Sequence, residues 1–124
     1  MAVPRITKED LRKRLEAEDS GRPVLIDVRL KYPYEHSTVR IPGSLRVSPK
    51  EPDYSQVPKG REVVAYDSDP NELVSSRIAG ELIKLGYRAA ALKGGINEWI
   101  SANFPIEHKE GVRQAAPAPG SLKA

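Results

Sequence analysis

Residues 62–86 read EVVAYDSDPNELVSSRIAGELIKLG, and the two halves of this stretch carry different periods. Glu62-Val63-Val64-Ala65-Tyr66 is a short apolar run, the pattern of a strand buried on both faces. Beyond Pro70, residues Val74, Ile78, Leu82 and Leu85 form one apolar helical stripe, which Gly86 closes as a C-terminal cap. A buried strand that passes through a polar loop into an amphipathic helix is the repeating unit of a parallel α/β sheet.

The flanking sequence repeats the theme. Val24-Leu25-Ile26-Asp27-Val28 is a second buried-strand pattern, Ser44-Leu45-Arg46-Val47 a short one, and Ala89 to Leu92 another. Thr7 with Asp10 three residues on resembles a capping box, and Leu11 and Leu15 extend it into a short helix expected to end near Ser20-Gly21. Gly94-Gly95 predicts a turn, and Ile96 to Ser101 a last helix carrying Trp99. The fold class expected is α/β, a mostly parallel sheet flanked by helices. The folded domain is placed at 1–107. The segment 108–124, HKEGVRQAAPAPGSLKA, has no apolar periodicity and is expected to be a disordered tail or linker.

At 124 residues, 39% of them hydrophobic and 30% charged, the chain suits one domain with a modest core. Its Lys and Arg exceed its Asp and Glu by only three, with the signs interspersed, so a nucleic-acid partner is not expected. No apolar run reaches the ~18 residues of a membrane span, and no signal pattern opens the sequence. A cytoplasmic protein without a membrane partner is the expectation. There is no cysteine, which removes disulfides, zinc–thiolate sites, iron–sulfur clusters and thiol nucleophiles. His36 and His108 are far apart and in no metal-ligand spacing. Neither a metal nor a cofactor is expected.

In parallel sheets, ligands sit beyond the carboxyl ends of the strands, where loops enter helices. The clearest such junction is the loop from Asp67 to Val74, whose backbone N–H groups and helix dipole suit an anion. Equally, Asp67 or Asp69 can serve simply as a cap for the helix.

Four segments together resemble the rhodanese-like domains: VLIDVR at Val24–Arg29, IPGSLRV at Ile41–Val47, the stretch Glu62–Tyr87, and LKGGINEWISANFPIE at Leu92–Glu107. They span most of the folded length in the family's order. The resemblance implies a three-layer α/β fold with a central parallel sheet of about five strands. In active members a cysteine opens the loop after the middle strand, takes sulfane sulfur from a donor such as thiosulfate as a persulfide, and passes it to an acceptor. Asp67 occupies that cysteine's position here. Ser68, Asp69, Pro70, Asn71, Glu72, Leu73 and Val74 match the anion- or substrate-binding loop, which is about two residues longer than the common six-residue form. Related loops read Cys-x-Cys-Pro-Asn-Glu, whereas this one reads Asp67-Ser68-Asp69-Pro70-Asn71-Glu72.

A carboxylate cannot replace that cysteine. Sulfane transfer needs a soft, polarisable nucleophile, and in thiol chemistry the thiolate is the attacking species. Asp67, Asp69 and Glu72 also place three acids in the loop with no Lys or Arg between them, so a dianion is expected to be repelled. Asp67 at a helix start is expected to stay ionised and to fill the cradle with its own carboxylate. The leading expectation is a catalytically inactive binding or regulatory module. The alternative is a sulfurtransferase scaffold whose cysteine Asp67 has replaced. A remote third reading makes Asp67 the nucleophile of a phosphohydrolase, because a strand followed by Asp-x-Asp resembles the opening of haloacid-dehalogenase-like enzymes. Against it, the chain has no Thr after the motif and no room for the other motifs. Mg²⁺ or Ca²⁺ at the three acids is disfavoured because hard cations need more oxygen ligands.

Asp27 and Arg29 are assigned a structural ion pair and Trp99 a core anchor. Arg77 is expected on the helix surface. Ser75 and Ser76 lack a partner histidine and are read as helix residues. The partner expected is another protein, or a sulfur donor or acceptor.

Overall fold

The computed structural model describes residues 3–17 and 22–109. Five parallel strands form the central sheet: β1 (Arg5–Ile6), β2 (Val24–Asp27), β4 (Leu45–Arg46), β5 (Val63–Tyr66) and β6 (Ala89–Leu92), in the order β1-β6-β5-β2-β4. A separate antiparallel ribbon joins β3 (Val39–Arg40) to β7 (Glu107–His108). The helices are α1 (Lys8–Glu16), α2 (Lys31–His36), α3 (Leu73–Lys84) and α4 (Gly95–Ser101).

The three layers follow from the two-residue period of β5. Val63 and Ala65 pack with Ile78, Ala79 and Leu82 of α3 on one face. Val64 and Tyr66 pack with Leu11 of α1 and Ile96 and Trp99 of α4 on the other. Trp99 anchors that second layer: it meets Phe104 edge-on at 5.1 Å, and its Nε1 donates to the Pro105 carbonyl at 2.6 Å. The expected α/β fold with a five-stranded parallel sheet is therefore the observed one.

Several boundaries shift for local reasons. Thr7 Oγ1 accepts from the Asp10 N–H at 3.1 Å, as the cap predicts, but α1 stops at Glu16 and Ala17 is extended. Residues 18–21, where that helix was expected to end, lie outside the described residues. α3 begins at Leu73 rather than directly after Pro70, because Glu72 holds a left-handed conformation with φ 57°. At its other end Gly86, φ 97°, donates to Ile83 while Tyr87 donates to Leu82, a Schellman closure. This closure leaves Leu85 at the cap and 51% exposed, outside the apolar stripe. Helix α2 buries no side chain, which is why no apolar pattern announced it. At the carboxyl end, His108 lies in the ribbon with β3, and 110–124 lie outside the described residues.

Candidate functional site

The loop from Asp67 to Glu72 leaves the carboxyl end of β5 and turns into α3. Asp67 is 1% exposed. Its Oδ2 accepts from the Ser75 N–H at 2.7 Å and its Oδ1 from the Asp69 N–H at 3.1 Å. The aspartate thus places its own carboxylate in the ring of backbone donors that opens the helix. Burial pushes the Asp67 carboxyl above its ordinary value, and the N–H groups of Ser75, Asp69 and Val74 only partly offset this. That desolvation works against the ionised form, which the backbone N–H groups favour.

Two further loop donors are also satisfied from within. Asp69 Oδ1 accepts from the Asn71 N–H at 2.8 Å, and the Asp69 carbonyl accepts from the Glu72 N–H at 2.9 Å. Two successive Asx turns, begun by Asp67 and Asp69, therefore shape the loop. From outside, the turn before α4 braces it: the Ile96 N–H donates to the Asp67 carbonyl at 2.9 Å. Gly95 permits that approach, because a Cβ there would lie 2.4 Å from the Asp67 carbonyl oxygen, and its φ is +65°.

The loop's charge is not what its composition suggests. Glu72 is buried and accepts from Arg5, Nε to Oε1 at 2.6 Å and Nη2 to Oε2 at 2.9 Å. The Gly94 N–H adds a third bond to Oε2 at 3.0 Å. The hydrogen bond from Arg5 holds the Glu72 carboxyl below its ordinary value against the opposing cost of burial. Of the three acids expected to repel an anion, one is neutralised by a cation from β1 and one is buried beneath the loop. Arg5 is the residue the sequence reading missed, since nothing in the spacing linked positions 5 and 72.

The other expected residues fall in distinct places. Ser68 offers its carbonyl to Asn97 Nδ2 at 3.1 Å, while Pro70 and Asn71 are exposed. Leu73 projects outward at 66% exposure and Val74 is half-buried against the α3 layer. Ser75 is buried and serves the loop through its backbone N–H. Arg77 lies on the exposed face of α3, where it donates to Glu81 and to the Pro49 carbonyl. Asp27 and Arg29 form a buried pair, Nε to Oδ1 at 3.0 Å and Nη2 to Oδ2 at 2.6 Å, beside Tyr66.

With both Asp67 oxygens bonded to backbone and almost no exposed surface, the carboxylate has no open face for a phosphoryl group. Among the described residues no cluster of three or more His, Cys, Asp or Glu gathers to hold a metal, and no helix is long and apolar enough to cross a membrane.

A family model described as "Rhodanese-like domain" matches residues 7–102. No curated protein matches the chain. Among solved structures, the BH2092 protein from Bacillus halodurans aligns with a TM-score of 0.73 at 19% identity, covering 86% of this chain and 77% of its own. The rhodanese-like domain of an Anabaena sp. protein aligns at 0.71 with 23% identity, covering 93% of this chain and 85% of its own. A thiosulfate sulfurtransferase from Pseudomonas aeruginosa aligns at 0.68 with 21% identity over 87% of this chain, which spans 20% of that longer protein. At these identities the likeness is one of fold.

Proposed function

The chain belongs to the rhodanese-like domain family, and since it contains no cysteine to carry a persulfide, we propose that it works as a non-catalytic binding or regulatory module. The observation that carries this reading is the Asp67 carboxylate seated on the Ser75 and Asp69 N–H groups. A carboxylate in that position supplies the negative charge that the helix start favours, so no donor or substrate anion is needed to complete the loop. The reading assigns the loop Ser68–Val74 to a fixed recognition surface, with Pro70, Asn71 and Leu73 as its exposed residues and the buried Asp67 and Glu72 holding it in shape. Its occupant is a protein partner, and a cytoplasmic setting is part of the same proposal, open to test by cell fractionation.

The second reading, a sulfurtransferase scaffold with its nucleophile replaced, is favoured by one feature: Asp67 stands directly at the end of β5 and at the start of the helix, where a thiolate would be stabilised. Thiosulfate-to-cyanide sulfur transfer by the parent chain, by Asp67→Cys and by Asp67→Cys with Asp69→Cys separates the two. The module reading expects all three to be inert while folded. Turnover by a cysteine variant alone favours the scaffold. Turnover by the parent defeats both.

A further inference from the structure

Three cations gather on one aromatic ring. The guanidinium carbons of Arg46 and Arg29 lie 3.9 and 5.4 Å from the centre of the Tyr34 ring, and Lys109 Nζ lies 3.8 Å from it. The four residues come from separate places in the fold: the segment after β2, α2, β4 and the end of the ribbon. Among the described residues, Asp27 is the one carboxylate within 4.0 Å of any of these cations. Its oxygens are engaged by Arg29, which leaves Arg46 Nη1 at 3.8 Å from Oδ1. The neighbouring Arg40 and Glu107 pair with each other at 2.5 Å and add nothing. Within 4.0 Å the cluster therefore carries three positive charges against one negative, with the Glu35 carboxylate acting on Lys109 from further away.

Its hydrogen bonds are incomplete as well. Arg46 Nη1 donates to the carbonyls of Arg29 at 2.6 Å and Asp27 at 3.2 Å, while Lys109 Nζ donates to the Tyr34 carbonyl. Arg46 Nε and Nη2 and the other Lys109 protons donate to nothing within the described residues. Burial holds both Arg46 and Lys109 below their ordinary values, and Arg29 depresses Lys109 further. The face of an aromatic ring attracts cations but cancels no charge. A half-buried surplus of positive charge with spare donors is the chemistry of an anion site, because guanidinium and ammonium groups bond strongly to oxyanions.

We propose that Arg46 and Lys109, set on Tyr34, bind an oxyanion: a phosphate, sulfate or carboxylate group. The site goes beyond the module reading, since none of its donors belongs to the acidic loop and it stands whether or not that loop does chemistry.

The test is an NMR titration of the ¹⁵N-labelled full chain with inorganic phosphate at constant ionic strength, with chloride as the anion replaced. A parallel titration uses hexaglutamate. Saturable shifts are expected at the Tyr34 and Arg46 amides and at Arg46 Nε, with affinity weakened about tenfold or more in Arg46→Gln and in Lys109→Gln. Lys109→Gln removes contacts to Tyr34 alone, its carbonyl and its ring, so it keeps the test readable if Arg46→Gln unfolds. Saturation first by phosphate supports a free anion as occupant, and saturation first by hexaglutamate supports an acidic segment of a partner. Shifts that never saturate, or unchanged affinity in the variants, overturn the site.

Discussion

Arg5 and Glu72 meet as a two-bond ion pair although 67 residues separate them in sequence. The pair ties the last residue of the acidic loop to the edge strand β1, and the Gly94 N–H fastens the same carboxylate to the turn after β6. The edge strand β1 and the segments that follow β6 and β5 are thus stitched together through one side chain. It also holds Glu72 in its left-handed conformation, which a residue with a Cβ adopts only when its surroundings fix it.

Arg5→Gln leaves the buried Glu72 carboxylate with the Gly94 N–H as its remaining partner. The thermal midpoint is expected to fall at neutral pH and to fall less in acid, where Glu72 is protonated in either protein. Melting curves of parent and variant across pH check this, and a fall of equal size at every pH would count against the pairing.

Gly95→Ala forces a Cβ into the Asp67 carbonyl oxygen at a positive φ. The expected loss is at least about 2 kcal/mol of folding stability by urea titration, because strain and overpacking act together. A variant as stable as the parent would mean that the turn before α4 does not brace the loop.

The two loop acids should oppose each other in pH dependence. Glu72, held low by Arg5, contributes stability that is full above the ordinary Glu value and is lost as pH falls through its lowered value. Asp67, pushed up by burial, binds its proton more readily folded than unfolded. Its contribution is therefore greatest below the ordinary Asp value and is lost as pH rises through its raised one. Carboxyl ¹³C titration should place Asp67 above an ordinary Asp and Glu72 below an ordinary Glu. The opposite order would contradict the geometry of both.

Asp27→Asn breaks a pair whose side chains are 1% and 2% exposed. Leaving Arg29 buried beside a neutral amide is expected to cost about 3–5 kcal/mol, read by chemical denaturation. A cost below about 1 kcal/mol would place the pair among those worth little, as at an exposed surface.

The sequence was most legible where burial imposes a period. Val63–Tyr66 alternates between two helical layers, and Ile78 and Leu82 keep their places on α3, so the strand, the helix and the loop between them could be located in advance. Helix α2 escaped notice because its KYPYEH sequence buries nothing, and β3 with β7 because Val-Arg and Glu-His stand in no apolar run and bury no residue. Leu85 was misplaced because the stripe's spacing continues one residue past Lys84, the last of α3, into the cap that Gly86 closes. The acid at the cysteine position was plain from the residues alone. Its effect was not, because it depends on contacts distant in sequence: Arg5 neutralising Glu72, and Gly95 letting a turn close over Asp67.

Whether Asp67 fills the loop's anion site is read most plainly by thiosulfate titration of the ¹⁵N-labelled parent chain. The prediction is that the amides of Asp69, Val74 and Ser75 do not move with thiosulfate, because Asp67 already holds them. Saturable shifts at those amides in the parent would show an open cradle and contradict it.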